Sequence, residues 1–382
     1  MSLGYAQKLS YKEDLGGSFG KPEVVEPGLE RLRKALLLAD WIKEAESVIV
    51  FTGAGISTSC GIPDFRGPQG VWTLQKQGLP FEAPANAFAL AKPSLTHQAL
   101  VALRACGKLS FVVSQNVDNL HLRSGLDAAA LAELHGNCFI EQCHTCRVRY
   151  AREFEIETVG FKPTGRRCTA NDHCRGRLRD MVLDWDDALP EDDLEASEQH
   201  AGSAQVALCL GTSLQVRPAN SLPLRTVKAG GKLAIVNLQK TCKDRQADLV
   251  LHAKCDDVMR TVIEALGLQL PVYRRVDTYI LQCSQVQSRK QTSTMLSLLA
   301  RDGLKCPLPM LMKLTIRIQS VDHDAPASLP EEDICLDGLP WQGIRLAFLR
   351  SVCGQVLIGT PAAPLLAEVV QDPCAVKWWV YW

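Results

Sequence analysis

The most informative stretch of this chain is Gly53-Ala54-Gly55-Ile56-Ser57-Thr58, which directly follows the apolar run Ser47-Val48-Ile49-Val50-Phe51-Thr52. A short β-branched run of this kind predicts a buried strand. A strand that leads into a glycine turn is how nucleotide-binding α/β sheets offer backbone N–H groups to a pyrophosphate, the glycines permitting the tight turn and the close approach. The stretch departs from the dehydrogenase fingerprint G-x-G-x-x-G, because Ser57 and Thr58 stand where its third glycine is expected. On these residues alone, a phosphate-binding loop and ordinary turn chemistry both remain open.

Helices and apolar strands alternate on both sides of this stretch. Apolar residues at helical spacing predict an amphipathic helix over residues 29–46. The other predicted elements are helices over 93–106 and 255–266 and strands over 110–114, 205–210, 232–237 and 248–252. Apolar strands without alternation, separated by helices, are typical of a mostly parallel sheet covered on both faces. The sequence therefore predicts an α/β fold with a doubly wound, Rossmann-like parallel sheet, its ligand lying at the strand ends near Gly53, Gln115 and Gly211.

Composition limits the function classes. The 382 residues are enough for two domains, and the 42 basic residues balance the 42 acidic ones, so nucleic-acid contact would need a local patch. No signal pattern is present and no apolar run approaches transmembrane length, so no membrane partner is expected. Fifteen cysteines in a large chain without a signal sequence favour free thiols and a metal site in a reducing compartment.

Residues 140–180 interrupt the α/β pattern with four cysteines. Cys143-x-x-Cys146 is followed by 21 residues and then by Cys168-x5-Cys174. The first pair has the spacing of a zinc knuckle, and four thiolates at tetrahedral distance close a structural site. The second pair is looser, so four unrelated thiols are the alternative. The remaining cysteines, among them Cys60, Cys106, Cys138 and Cys209, are expected to be buried small apolar groups.

The same insert is strongly basic. A solvated face is one interpretation of such a run, and contact with DNA phosphates or an acidic nucleosome surface is the other. The residues concerned are Arg147, Arg149, Arg152, Lys162, Arg166, Arg167, Arg175, Arg177 and Arg179.

Several short signatures follow the glycine stretch in a fixed order. They are Asp64-Phe65-Arg66-Gly67, Gln115-Asn116-Val117-Asp118, Leu134-His135-Gly136, the four cysteines, Gly211-Thr212-Ser213 and Val236-Asn237-Leu238-Gln239. Over residues 25–270 this set resembles the sirtuins, the NAD-dependent protein-lysine deacylases. Gly67-Pro68-Gln69-Gly70-Val71-Trp72 and Leu183-Asp184-Trp185-Asp186-Asp187 are most similar to the nuclear class IV branch, of the sirtuin-six type.

The resemblance implies an architecture and a set of site residues. We expect an N-terminal arm (1–28), a Rossmann-like NAD-binding catalytic domain (29–139 and 181–270), a zinc-binding module (140–180) and a C-terminal region (271–382). Three apolar clusters, 314–318, 344–348 and 378–382, predict that the last region is β-rich. The implied catalytic residues are His135, Asn116 and Asp118, and the implied ligands of one structural zinc are Cys143, Cys146, Cys168 and Cys174. The implied NAD-binding residues are Gly53, Ala54, Gly55, Ser57, Thr58, Asp64, Phe65, Arg66, Trp72, Gln115, Asn116, His135, Gly211, Thr212, Ser213, Asn237, Gln239 and Cys255.

The implied reaction consumes NAD as a co-substrate. The carbonyl oxygen of an acyl-lysine displaces nicotinamide from the ribose, and a ribose hydroxyl then attacks the product, which yields O-acyl-ADP-ribose. The second step needs a base with a pKa near 7, and His135 is the implied base. Phe65 would cover the ribose, and Trp72 and Trp185 would line the acyl-lysine and nicotinamide side, although a plain core role for Trp185 stays open. The implied substrates are acylated lysines of histones or other chromatin proteins, in the nucleus.

One residue departs from the family pattern. Asn119 stands directly after Asp118, where the family normally has glycine. If this position has a positive φ, asparagine is the least costly replacement, and the chain is expected to be active. Two other functions stay open on the sequence: mono-ADP-ribosyl transfer in the same cleft, and a weakly active chromatin-binding module.

Overall fold

The structure is a computed structural model of the chain, and it divides into two units, Met1–Tyr273 and Arg274–Trp382. Side chains are described only in the first unit. The described residues are 5–6, 8–10, 17–80, 88, 91–152, 154–170, 173–273, 275–288, 291–300, 313–319, 334–337, 344–345, 365–371 and 376–381.

The first unit alternates strands and helices. Its strands are β1 (Val48–Thr52), β2 (Leu109–Ser114), β3 (Leu131–Glu133), β4 (Gly136–Cys143), β5 (Arg149–Ala151), β6 (Pro163–Arg167), β7 (Arg177–Val182), β8 (Val206–Leu210), β9 (Lys232–Val236) and β10 (Leu249–Leu251). Its helices are α1 (Gly28–Glu44), α2 (Val71–Lys76), α3 (Leu95–Ala105), α4 (Leu120–Arg123), α5 (Glu191–Ser203), α6 (Pro223–Lys228) and α7 (Cys255–Ala265). The three predicted helices and the predicted strands of the parallel sheet are thus present, with ends shifted by a few residues.

Six strands form a parallel sheet in the order β10-β9-β8-β1-β2-β3. From β1 the chain adds β2 and β3 on one side and later adds β8, β9 and β10 on the other. The strand order therefore reverses between β1 and β8, which is the switch point where open α/β sheets bind ligands. Residues of α1, α3 and α7 pack on one face of the sheet, and residues of α5 and α6 pack on the other. The predicted doubly wound fold is confirmed.

The insert forms a four-stranded antiparallel sheet in the order β5-β4-β7-β6. Its central strand β4 is buried along its whole length. That burial includes a carboxylate: the side chain of Glu141 has no exposed surface, and it accepts hydrogen bonds from Arg152 Nε at 2.5 Å and from Arg166 Nε at 2.6 Å. Two of the predicted surface arginines therefore hold this small sheet together.

Residues 17–27 run as an extended arm along loops that follow the strands. Their backbone N–H groups donate to distant carbonyls: Gly20 to Arg66 at 3.0 Å, Val24 to Leu238 at 2.9 Å and Glu26 to His252 at 2.9 Å. Among the described residues, no helix has the length and apolarity needed to cross a membrane.

The described residues of the second unit form a seven-stranded sheet, in a region that the sequence predicts to be β-rich. Its strands are β11 (Arg275–Ser288), β12 (Gln291–Ala300), β13 (Lys313–Gln319), β14 (Ile334–Asp337), β15 (Ile344–Arg345), β16 (Leu365–Gln371) and β17 (Val376–Tyr381), in the sheet order β14-β13-β17-β16-β11-β12-β15. Residues 346–348 and 382, which belong to two of the predicted strands, lie outside the described residues.

Candidate active site

The glycine loops after β1 and β8 are in direct backbone contact. Gly55 N donates to the carbonyl of Gly211 at 2.9 Å. A Cβ on Gly55 would lie 2.7 Å from the Cα of Gly211, and a Cβ on Gly211 would lie 2.6 Å from the carbonyl carbon of Gly55. Gly53 has an extended backbone with φ −136°, so a tight turn does not require it to be glycine. Glycine is needed here because a Cβ at position 53 would lie 2.8 Å from the Cα and Cβ of Thr212 and would collide with them. These glycines therefore allow two loops of the protein to approach closely, and the predicted approach of this backbone to a pyrophosphate stays a prediction.

A cleft of about 1100 Å³ opens at this switch point. Every residue that the sequence assigned to NAD binding or catalysis lines it. These residues are Gly53, Ala54, Gly55, Ser57, Thr58, Asp64, Phe65, Arg66, Trp72, Gln115, Asn116, Asp118, His135, Gly211, Thr212, Ser213, Asn237, Gln239 and Cys255.

The segment after β2 is tied to the glycine loop by two buried side chains. Asp118 is 4% exposed; its Oδ2 accepts from Ser57 Oγ at 2.6 Å, and its Oδ1 accepts from the backbone N–H of Leu120 at 3.0 Å. Asn116 Nδ2 donates to the carbonyl of Gly53 at 3.1 Å. Both side chains therefore position the loop as well as lining the cleft.

The tautomer of His135 follows from its hydrogen bond. His135 Nδ1 lies 3.0 Å from the backbone carbonyl of Gln115. A carbonyl oxygen can only accept, so Nδ1 carries the proton, and the neutral ring has its lone pair on Nε2. Burial lowers the pKa of His135 to about 4; the hydrogen bond to Gln115 opposes this shift, and the nearby Arg66 charge adds to it. The structure thus gives a pKa below the expected value near 7, and the imidazole is neutral at physiological pH.

Aromatic rings form a row along one wall of the cleft. The ring centroids of Phe65 and Trp72 are 4.5 Å apart, and those of Trp72 and Trp185 are 5.0 Å apart. Tyr5 approaches Phe65 edge-on at 6.1 Å, and the guanidinium of Arg66 lies 4.6 Å from the ring centre of Trp72. Trp185 is therefore a wall residue of the cleft, so the plain core interpretation is wrong.

The loops after β9 and β10 close the far side of the cleft. Asn237 Nδ2 donates to the carbonyl of Gln239 at 2.8 Å, and Gln239 Nε2 donates to the carbonyl of Lys21 in the arm at 2.6 Å. His252 Nδ1 lies 3.0 Å from the carbonyl of Asn237. These bonds fix the loop that carries two of the sequence-assigned residues.

The four cysteines of the insert converge. Their sulfur atoms all lie within 4.8 Å of one another, with Cys143 Sγ 3.7 Å from Cys174 Sγ and Cys146 Sγ 3.5 Å from Cys168 Sγ. Four sulfurs bound to one tetrahedral zinc at about 2.3 Å lie about 3.8 Å apart. The backbone N–H of Thr145 points to Cys143 Sγ at 3.4 Å, which favours a thiolate there. The cluster therefore fits a closed structural zinc site.

The expectation that the other cysteines are buried is wrong in part. Cys138 and Cys209 are buried, and burial raises the pKa of each thiol. Cys60 is only partly buried, and Cys106 and Cys242 are exposed. Cys106 follows the last residue of α3, so it leaves the packed face of that helix.

One part of the cleft is apolar and was not predicted from the sequence. Tyr5, Leu9, Ile62, Phe88 and Val117 line it together and pack as one cluster. Tyr5 and Leu9 come from the start of the chain, where an apolar pair at i and i+4 was the only available signal.

A doubly wound sheet with a glycine-lined cleft at its switch point and a four-cysteine cluster is typical of a nucleotide-binding protein with a structural metal site. A model of the Sir2 family matches residues 76–218. The NAD-dependent protein deacetylase SRT1 of Oryza sativa subsp. indica is 47% identical over 336 residues, 88% of this chain and 69% of that protein. The NAD-dependent protein deacetylase Sirt6 of Drosophila melanogaster is 44% identical over 281 residues, 72% of this chain and 87% of that protein. A solved Sir2 bound to acetylated peptide is 31% identical and covers 61% of this chain and 98% of its own, with a TM-score of 0.48. The chain belongs to the Sir2 family.

Proposed function

We propose that this NAD-dependent protein deacetylase removes acyl groups from lysine side chains of histones or other chromatin proteins and releases nicotinamide and O-acyl-ADP-ribose. The observation that carries the proposal is the state of His135. Its Nδ1 proton is committed to the carbonyl of Gln115, so Nε2 is available as a base inside the cleft.

The residues around the switch point would hold NAD. All the assigned residues line one continuous cleft, among them Ser57, Asp64 and Asn237. NAD, when bound, supplies the ribose carbon from which nicotinamide departs. Phe65 and Trp72 exclude water from that region, which matters because an amide oxygen is a poor nucleophile and water would compete with it.

Proton transfer is the task of His135. We assign its Nε2 as the acceptor of the proton from a ribose hydroxyl. Because the ring is neutral at pH 7, no prior deprotonation is needed, but a pKa of about 4 makes the imidazole a weaker base than one with a pKa near 7. Asp118 and Asn116 act by holding Ser57 and Gly53, and so keep the loop in register with the histidine.

The test is nicotinamide release from NAD with an acetylated histone peptide. His135→Ala should lower kcat by about 10² to 10⁴-fold and leave NAD binding largely intact. The matched control is His144→Ala, which removes an exposed imidazole of the insert and should change neither quantity. If His135→Ala retains more than half of the parent turnover, the histidine is not the base. Mass analysis of the products and the acceptor separates deacylation from mono-ADP-ribosyl transfer.

The apolar cluster supports an additional preference for long acyl chains. Ile62 and Phe88 are almost fully buried and line the cleft together with Tyr5, Leu9 and Val117. A chain of methylene groups buried there would gain about 0.8 kcal/mol per CH₂. We expect Ile62→Ala to raise KM for a decanoyl peptide more than for an acetyl peptide. Equal effects on both peptides would contradict this preference.

The insert supports a contact with nucleosomes and therefore a nuclear location. Arg147, Arg149, Arg167, Arg175 and Arg177 are exposed on it. In a double variant, Arg175→Gln and Arg177→Gln should weaken nucleosome binding and flatten its salt dependence, with short-peptide turnover unchanged. Arg260→Gln, on the exposed side of α7, is the control. A fluorescent fusion that is excluded from nuclei would contradict the proposed location.

A further inference from the structure

The segment that carries His135 runs beside the segment that carries Asn116 and Asp118. Three hydrogen bonds join the two segments: Leu134 N donates to the carbonyl of Ser114 at 3.0 Å, His135 Nδ1 to that of Gln115 at 3.0 Å, and Cys138 N to that of Val117 at 2.9 Å. The relative position of the two segments therefore depends on a short row of bonds.

Asn119 provides a further bond in this row, through Asn137. Asn137 Nδ2 donates to Asn119 Oδ1 at 2.9 Å and to Glu133 Oε1 at 2.8 Å. Asn137 Oδ1 accepts from the backbone N–H of Phe139 at 2.8 Å. That N–H can only donate, so the amide of Asn137 has one orientation, and its NH₂ group must face Asn119 and Glu133. Asn137 is 1% exposed, so both of its partners matter.

The backbone alone does not explain asparagine at this position. Asn119 has φ 64° and ψ 8°, the left-handed conformation that the sequence analysis anticipated. Glycine adopts this conformation at lower cost, but it has no oxygen to offer to Asn137. The side chain is what asparagine adds.

We propose that Asn119 is a positioning residue for His135. Asn119 holds Asn137, Asn137 holds Glu133, and these last two residues flank His135 on either side along the chain. The bridge fixes the direction in which the imidazole faces the cleft, and a small misplacement of a reacting group is costly in rate. This inference rests on the proposed function, because it concerns the base assigned there.

The experiment is a double-mutant cycle on the full chain, with nicotinamide release from an acetylated peptide as the assay. Asn119→Gly keeps the left-handed backbone and removes only the acceptor, so the variant should fold. We expect its kcat to fall three- to tenfold, with KM for NAD within twofold of the parent and the melting temperature lower by only a few degrees, because one buried N–H of Asn137 loses its acceptor. Asn137→Ala should lower kcat at least as much, and adding Asn119→Gly to it should have no further effect.

Two outcomes would overturn the proposal. One is an Asn119→Gly variant whose kcat equals or exceeds that of the parent, since the backbone would then be the whole explanation. The other is the same fold-loss from Asn119→Gly in the Asn137→Ala background, since the effect would then not pass through Asn137. An active His135→Ala variant would instead refute the base assignment, so the two failures are distinguishable.

Discussion

The buried carboxylate of the insert offers the sharpest test of what holds this module together. Glu141 has no exposed surface and binds two arginines whose side chains are 20% and 23% exposed. Arg152 follows β5 and Arg166 lies in β6, so Glu141 on β4 links three strands. Burial by itself raises the pKa of Glu141, but hydrogen bonds from Thr164, Arg166 and Arg152 lower it below its usual value. The carboxylate is therefore ionised at neutral pH, and its contribution is lost only as pH falls through that lowered pKa.

The perturbation is Glu141→Ala, and its magnitude follows from the two charges it leaves behind. Removing one partner of a buried ion pair costs about 3–5 kcal/mol, and the partial exposure of Arg152 and Arg166 places the cost near the lower end, about 3 kcal/mol. For a unit of this size, that corresponds to a fall of roughly 6–12 °C in melting temperature. Because Cys143 lies two residues further along β4, release of zinc to a chromogenic chelator should also accelerate.

The chain supplies a matched control. Glu157 also approaches Arg166, at 3.9 Å, but its side chain is 71% exposed. An exposed pair of this kind contributes about 0–1 kcal/mol, so Glu157→Ala should leave both the melting temperature and zinc release close to those of the parent. If the two variants behave alike, or if Glu141→Ala melts within 1 °C of the parent, the reasoning from burial is wrong.

Three further predictions concern the metal, the glycine contact and acid. Metal analysis should find one zinc per chain, and Cys143→Ser should lower solubility and stability before it alters turnover. Soluble, active protein without zinc would contradict the proposed zinc site. Gly55→Ala places a methyl group 2.7 Å from the backbone of Gly211 and should push apart two loops that line the cleft. Calorimetry should therefore show much weaker NAD binding. Unchanged affinity would mean that the two loops can separate without affecting the NAD site. Burial lowers the pKa of both His97 and His121 to about 3. Below pH 6.5 the unfolded chain therefore binds protons that the folded chain does not, and the free energy of unfolding falls as the pH drops from 6.5 toward 3. The free energy of unfolding, measured with urea, should therefore fall by about 2 kcal/mol less in His121→Asn than in the parent between pH 7 and 5. An identical fall in the two proteins would refute the lowered pKa of His121.

The parallel sheet could be predicted from the sequence because its signals are local. The run at 47–52 is β-branched and apolar, and burial on both faces is what such a run requires. The signatures at strand ends converge because the carboxyl ends of parallel strands share one edge, and that rule needs no knowledge of side-chain packing. The individual cleft residues came from the resemblance to the sirtuins, and the apolar lining around Ile62 and Phe88 was not predicted.

The features that escaped prediction all depend on partners distant in sequence. The basic run of the insert gave no sign that Arg152 and Arg166 meet a buried carboxylate, because Glu141 lies 11 and 25 residues away from them. The need for glycine at position 55 comes from Gly211, on another loop. The bond from Asn119 to Asn137 likewise crosses between two segments, so sequence reasoning found the backbone conformation and missed the side-chain contact.

Burial has opposite effects on the pKa of His135 and on that of Glu133, two residues before it in the chain. It raises the pKa of Glu133 to about 8, although the hydrogen bond from Asn137 opposes the shift, and it lowers the pKa of His135 to about 4. At neutral pH the imidazole is therefore uncharged and the Glu133 carboxyl is mostly protonated. Burial also lowers the pKa of Arg66, to about 10, which leaves its guanidinium protonated. Arg217 and Lys254 line the cleft as well, beside several carboxyl groups. These cations suit an anionic dinucleotide, because they attract the phosphates while the neutral histidine stays free to accept a proton.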